Sequence, residues 1–286
     1  GLRAITSIAD DSMERPKAVF SVVSWSWIGC VLIGMLPYLF AGVFPWSRID
    51  SALFEAISGF TTTGSTVLSD IESNGRGILF WRQLTQWYGG MGIIVLAVTV
   101  LPSLGVGGLQ LMAAESPGHK SDKLRARAID TAKSLWAVYF GVTIVISLLL
   151  WATPSANLYD AVAHGLSTAA IGGFSTYNES IGSFDSYLVE LIIVLGMFTG
   201  AMNYNLQYKF LSSKGNFRVF LESSEWKLYV KITGLFIAVV FLLNWLIDSV
   251  SVGLAFRDSL FNVVALASST GFGNVRPDGI GYFVLW

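Results

Sequence analysis

The chain has 286 residues, 53% of them hydrophobic and 13% charged, with a formal net charge of −1. A mean hydropathy of +0.60 excludes an ordinary soluble domain, and the balanced charge offers no basic surface for a nucleic-acid partner. Cys30 is the single cysteine, so an internal disulfide is excluded as well.

Uncharged runs of membrane-spanning length recur along the chain. They are Ala18–Ser47, Gln83–Ala114, Ser134–Tyr159, Leu191–Tyr208 and the shorter Ile232–Ile247. A helix needs about 20 mostly apolar residues to cross the hydrocarbon core, so the reading is an all-α polytopic membrane protein. The spans fall into a repeated pattern of span, half-span, span.

After a cytoplasmic segment, 1–17, a first unit covers 18–104, with spans near 18–41 and 79–103, a pore segment near 50–60 and a Thr/Gly cluster at 61–66. A cytoplasmic loop, 105–133, leads to the second unit, 134–208, with spans 134–152 and 187–208, a pore segment 157–168 and a cluster 169–176. A second cytoplasmic loop, 209–230, precedes the third unit, 231–286, with a span 231–248, a pore segment 256–268, a cluster 269–274 and a second span starting at Gly279. These are repeated membrane–pore-loop–membrane units. Three of an expected four are present, the remainder of the third and a fourth being expected beyond Trp286. Ser51, Asn157 and Asp258 are the expected caps of the three pore segments.

Charge gives the sidedness. Arg3, Arg15 and Lys17, then Lys120, Lys123, Arg125, Arg127 and Lys133, then Lys209, Lys214, Arg218, Lys227 and Lys231 mark the cytoplasmic regions. The opposite face carries Arg48, Arg76, Arg82, Arg257 and Arg276 against a larger set of acids, which would concentrate cations at the mouth.

The three broken hairpins carry the chemistry. A desolvated alkali-metal ion needs several oxygen ligands, and backbone carbonyls supply them without adding charge. Presenting successive carbonyls demands unusual backbone angles and favours glycine. The candidate ion-binding residues are Thr62, Thr63, Gly64 and Ser65; Ile171, Gly172, Gly173 and Phe174; and Ser269, Thr270, Gly271 and Phe272. One such cluster would read as an ordinary loop; three at matched places point to a filter. Each preceding short helix would turn its partially negative C-terminal end towards a cation. Glu55, Asp160 and Asn262 are read as corresponding polar residues of the pore segments, supporting the loops behind the filter. His119 and His164 lack partners at metal-ligand spacing, so no structural metal site is expected, only a potassium or sodium ion at the filter. No catalytic or nucleotide-binding motif appears, which predicts neither enzymatic activity nor a cofactor.

The stretches Leu53–Thr66, Trp87–Val95, Ile171–Thr176 and Ser269–Phe272, with Gly107–Leu111 and Ala114–Gly118, resemble the Trk/Ktr/HKT superfamily of potassium and sodium transport proteins, in particular its bacterial TrkH type. The resemblance implies four membrane–pore–membrane units around one pore and a homodimer with one pore per protomer. It also implies a cytosolic ring of nucleotide-binding regulatory subunits of TrkA type, and residence in the bacterial inner membrane, in contact with its lipid. In that family a filter glycine marks potassium preference, whereas a serine in the first unit accompanies sodium permeation. Gly64 matches that position. The implied gate, in the second span of the third unit, would lie beyond Trp286. Two alternatives stand beside a gated potassium pathway: a sodium-permeable or cation-coupled secondary transporter, and a non-transporting membrane assembly subunit.

Overall fold

A computed structural model describes residues 16–99, 120–246 and 251–274. Among these, every regular element is helical: α1 (Pro16–Gly34), α2 (Leu36–Phe40), α3 (Ile49–Phe60), α4 (Arg76–Thr99), α5 (Lys120–Trp151), α6 (Leu158–Ala169), α7 (Tyr187–Gly200), α8 (Tyr204–Ser212), α9 (Arg218–Glu222), α10 (Ser224–Leu246) and α11 (Val252–Ala267), with 3-10 turns at Trp46–Arg48 and Ser180–Phe184. Among the described residues three stretches, Ser21–Phe40, Asp130–Trp151 and Ser224–Leu246, are long and apolar enough to cross a membrane, and the bent pair α7–α8 joins them only when its two helices are taken as one span.

The polarity of the molecule is inverted relative to a water-soluble fold. Arg82, Gln83, Gln86, Glu55 and His164 have no exposed surface, while Trp25, Phe40, Leu235 and Leu246 are among many large apolar side chains turned outward. Lipid solvates the apolar exterior, and the polar groups must find partners inside. The chain is therefore a membrane protein, all-helical in its described part and built of repeated span–pore-loop units.

Local chemistry explains where the elements depart from expectation. The first span breaks at Met35 because Pro37 cannot donate to residue 33 and crowds its carbonyl. The stretch 120–133, expected as loop, is the first part of α5. Ser51 lies inside α3 and Asp258 inside α11, whose N-cap is Ser251; only Asn157 caps as expected, its side chain accepting from the Asp160 amide at 3.0 Å. The single span expected over 187–208 turns by 98° between α7 and α8. Asn203 starts the new helix by accepting from the Asn205 amide. Gln207 donates back to the carbonyls of Thr199 and Met202, satisfying helix-end acceptors that the bend releases. The second span of the third unit, from Gly279, lies outside the described residues.

In the first two units the pore helix packs at its C-terminal end against the following span, and the packing exchanges bulk between them. A Cβ on Gly59 of α3 would collide with Thr85 of α4, whereas a Cβ on Gly196 of α7 would collide with Thr168 of α6. The small residue thus sits on the pore helix in one unit and on the span in the next, at matched depth. Gly89 does the same service one turn further on, where a Cβ would strike the Phe60 carbonyl. An apolar cluster containing Ile193, Met197, Phe261, Val264, Ala265 and Phe272 joins the second and third units.

Candidate functional site

The three Thr/Ser/Gly clusters follow the C-termini of α3, α6 and α11 with one backbone pattern. The amides of Thr62, Ile171 and Ser269 donate to the carbonyls of Gly59, Thr168 and Leu266, and those of Thr63, Gly172 and Thr270 donate to Ser58, Ser167 and Ala265. This is the paired bonding that closes a helix around a left-handed residue. Thr62, Ile171 and Ser269 hold that residue's place at φ of 55°, 53° and 63°. Side-chain-bearing residues there, β-branched in two cases, cost about 1–3 kcal/mol each and persist only where the surroundings enforce them.

Two residues later the backbone turns left-handed again, at Gly64 (φ 80°), Gly173 (φ 78°) and Gly271 (φ 75°). Alternation of this kind swings successive peptide planes, the requirement that a carbonyl-lined filter places on its chain. The loops also lie side by side in order. A Cβ on Gly64 would strike the Gly172 carbonyl, and a Cβ on Gly173 would strike the Thr270 carbonyl. The same contact thus relates unit one to unit two and unit two to unit three, as a rotation about one axis would.

Behind the loops, polar side chains hold the strands. Glu55 accepts from the Thr66 hydroxyl and from the Val67 amide at 2.7 Å, and pairs with Arg82 at 3.2 Å. Asn262 donates to Asn274 at 3.2 Å and to the Asp258 carbonyl. Asp160 accepts from Thr176 at 2.9 Å, Tyr177 at 2.7 Å and Asn157 at 2.7 Å. All three candidates therefore touch the descending loop, but they do not correspond as a set. Glu55 and Asn262 each precede the left-handed glycine of their cluster by 9 residues; Asp160 precedes Gly173 by 13, and the residue 9 before it is His164.

His164 is the true counterpart of Glu55. Its Nδ1 lies 2.9 Å from the Asp160 carbonyl, which can only accept, so Nδ1 carries the proton. In the neutral ring Nε2 then accepts from the Ser175 hydroxyl at 2.9 Å. Ser175 and Thr66 occupy matched positions, so a carboxylate–hydroxyl pair in one unit is replaced by an imidazole–hydroxyl pair in the next. Counting back from each glycine, rather than forward from each aromatic, would have found it.

Two α4 residues were missed by sequence reasoning because they follow the span boundary or sit in an apolar run. The charge pattern places Arg82 among the outer-face residues. Yet α4 starts at Arg76, which carries Arg82 nearly two turns into the helix and into the interior. There it donates to the Ser175 carbonyl at 3.2 Å and stacks 4.1 Å over the Phe174 ring, tying unit one to unit two. Gln86, one turn on, donates to the Gly172 carbonyl at 2.5 Å and accepts from Ser167 at 2.7 Å and from the Phe174 amide at 3.2 Å.

Further ties cross between units. Asn178 accepts from the Ile71 amide at 2.6 Å and donates to Asp70 at 2.9 Å. The amides of Ile181 and Gly182 both donate to the Gly273 carbonyl. Glu190 of α7 takes both guanidinium arms of Arg257 of α11, the Nε arm at 2.7 Å. Among the described residues no group of His, Cys, Asp and Glu gathers to hold a multivalent metal.

Comparison with known proteins identifies the family. The family model for TrkH, described as a cation transport protein, matches residues 8–278. The Trk system potassium uptake protein TrkH of Escherichia coli (strain K12) is 40% identical over 261 residues, covering 91% of this chain and 53% of that protein. The Trk system potassium uptake protein TrkG of the same strain is 42% identical over 203 residues, covering 70% of this chain and 41% of that protein. The crystal structure of the potassium transporter TrkH from Vibrio parahaemolyticus superposes with a TM-score of 0.79 at 35% identity, covering 91% of this chain and 52% of that one. The chain spans about half the length of the curated relatives it matches.

Proposed function

The chain belongs to the TrkH family of cation transport proteins, and on that footing we propose that its three loop clusters line a potassium-conducting pore. Potassium crosses down its electrochemical gradient through a filter lined by backbone oxygens of Thr62–Ser65, Ile171–Phe174 and Ser269–Phe272. One observation carries this reading. Three loops with left-handed residues at matched positions lie side by side, each at the partially negative end of a pore helix.

Glycine at position 64 supports potassium over sodium. The basic inner segments 120–133 and 209–231 are the docking surface for a cytosolic nucleotide-binding subunit, and the working assembly is a homodimer in the bacterial inner membrane. The work is conduction, so no catalytic residue or bound cofactor is required. The repeated units run in one orientation, with basic loops between them and acidic loops within them. This argues against the inverted repeats of a secondary transporter.

The test is rubidium uptake into proteoliposomes holding the full-length protein. Wild-type protein should load rubidium, and Gly64→Asp or Gly271→Asp protein should not. Normal uptake by variants that insert and elute like wild type would refute the filter assignment.

A further inference from the structure

The three filter segments are not chemically equivalent, and the difference lies in the residue midway between the two left-handed positions. In the first unit this is Thr63, whose hydroxyl bonds that of Thr61 at 2.7 Å. In the third it is Thr270, whose hydroxyl bonds that of Ser268 at 2.7 Å. The second unit has Gly172 and, two residues before it, Ala170, so neither side chain offers a hydroxyl.

The space this leaves is filled from another unit. The three atoms nearest to a Cβ built on Gly172 are Cδ, Oε1 and Nε2 of Gln86. The Gln86 amide, fully buried, stands where the missing side chain would stand. It bonds the Gly172 carbonyl, the Phe174 amide and the Ser167 hydroxyl. In the first unit the residue matching Ser167 is Ser58, which braces its strand directly by donating to the Ser65 carbonyl at 2.6 Å. In the second unit Gln86 is interposed.

The third unit shows the apolar counterpart. Gly89 and Gly200 pack on matching pore-helix ends, which aligns Gln86 with Met197. Met197 belongs to the apolar cluster that holds Ala265, the counterpart of Ser167, and Phe272, the counterpart of Phe174. A polar span residue thus accompanies the filter segment lacking its own hydroxyls, and an apolar one accompanies the segment that has them.

From this juxtaposition we propose that Gln86 is a positioning residue for ion discrimination, acting in place of the side chain absent at Gly172. It rests on the filter reading above. By bonding one lone pair of the Gly172 carbonyl and pinning Phe174, it fixes how far the second strand stands from its neighbours, and with it the size of the ion accepted. Gly172 is not in the left-handed region, so a threonine fits its backbone once Gln86 is shortened.

Four variants of the full-length protein in proteoliposomes test this, with rubidium uptake, the rubidium-to-sodium uptake ratio and the thermal unfolding midpoint as readouts. Gln86→Met keeps the volume and loses the hydrogen bonds; its ratio should fall by about tenfold, the scale of one or two net hydrogen bonds, with unfolding little changed. Gln86→Ala and Gly172→Thr should each lose discrimination to a similar degree, the first by a void and the second by collision. The double variant Gln86→Ala/Gly172→Thr should return to within about threefold of wild type, as compensating neighbours do. An unchanged ratio in Gln86→Met overturns the proposal, and so does a double variant no better than the product of its singles. Coupling seen in unfolding but not in the ion ratio also overturns it, because Gln86 would then be packing alone. Failure of the filter reading itself is separable: Gly64→Asp protein would then conduct normally while the Gln86–Gly172 coupling in unfolding persisted.

Discussion

The Glu55 carboxylate and the Arg82 guanidinium meet at 3.2 Å, both side chains wholly buried. Neither charge is tolerable alone in the buried interior, and each also bonds a different loop. Glu55 holds Thr66 and Val67 of the first, and Arg82 holds Ser175 and Phe174 of the second. The pair is thus a bolt between neighbouring units.

Breaking that bolt on one side should be costly. Glu55→Ala or Arg82→Ala leaves an uncompensated buried charge, for which a loss of about 3–5 kcal/mol is expected. Replacing both by methionine should be markedly milder than either single change. Thermal unfolding of detergent-solubilised protein checks this, and equal losses in single and double variants would show that the pair is not coupled.

Gly64→Ala and Gly173→Ala should each abolish most rubidium uptake. Alanine at a left-handed φ costs about 1–2 kcal/mol by itself, and in both places the new methyl strikes the carbonyl of the adjacent loop. Gly77→Ala, in α4 with no atom near its would-be Cβ, is the control and should conduct like wild type.

The exchange of bulk between Gly59/Thr85 and Thr168/Gly196 predicts a compensating pair. Gly59→Ala should destabilise by about 1–3 kcal/mol through overpacking. Adding Thr85→Ala should recover much of that loss, since Thr85 is what the methyl meets. Unfolding midpoints of the two singles and the double decide it.

Acid should loosen the outer loops. The Asn178 amide beside Asp70, helped by hydrogen bonds from Ser73, holds the Asp70 carboxyl below its ordinary value despite its exposure. A group with a depressed folded-state pKa stabilises above its unfolded pKa and loses that contribution as pH falls through the folded one. The cross-link between the first and second outer loops should therefore weaken below pH of about 4. Hydrogen exchange at Ile71 and Asn178 should rise there in wild type. In Asp70→Asn protein exchange at these amides should be insensitive to pH over that range, after correction for intrinsic exchange rates.

The span–half-span–span rhythm and the three glycine clusters were legible in the sequence because both are local. Hydropathy over about 20 residues reports a crossing, and a Thr/Ser/Gly run after a short apolar segment reports a helix that ends in a special backbone. The polar support was legible only in part. Glu55 and Asn262 stand at matched places in the sequence, but the aromatic–polar pair Tyr159-Asp160 lies one turn before the matching place in the second unit, and nothing at metal-ligand spacing singles out His164. The 98° bend was hidden because Leu191–Tyr208 has uniform composition across it.

What the sequence by itself determined is that membrane-embedded hairpins repeat and that each ends in glycine. Tertiary structure alone decided which units touch and through what: Arg82 and Gln86 reach across 93 and 86 positions to Ser175 and Gly172. The physical reason is that a buried polar group must be satisfied by whatever lies beside it in space. Periodicity along the chain carries no record of which neighbour that is.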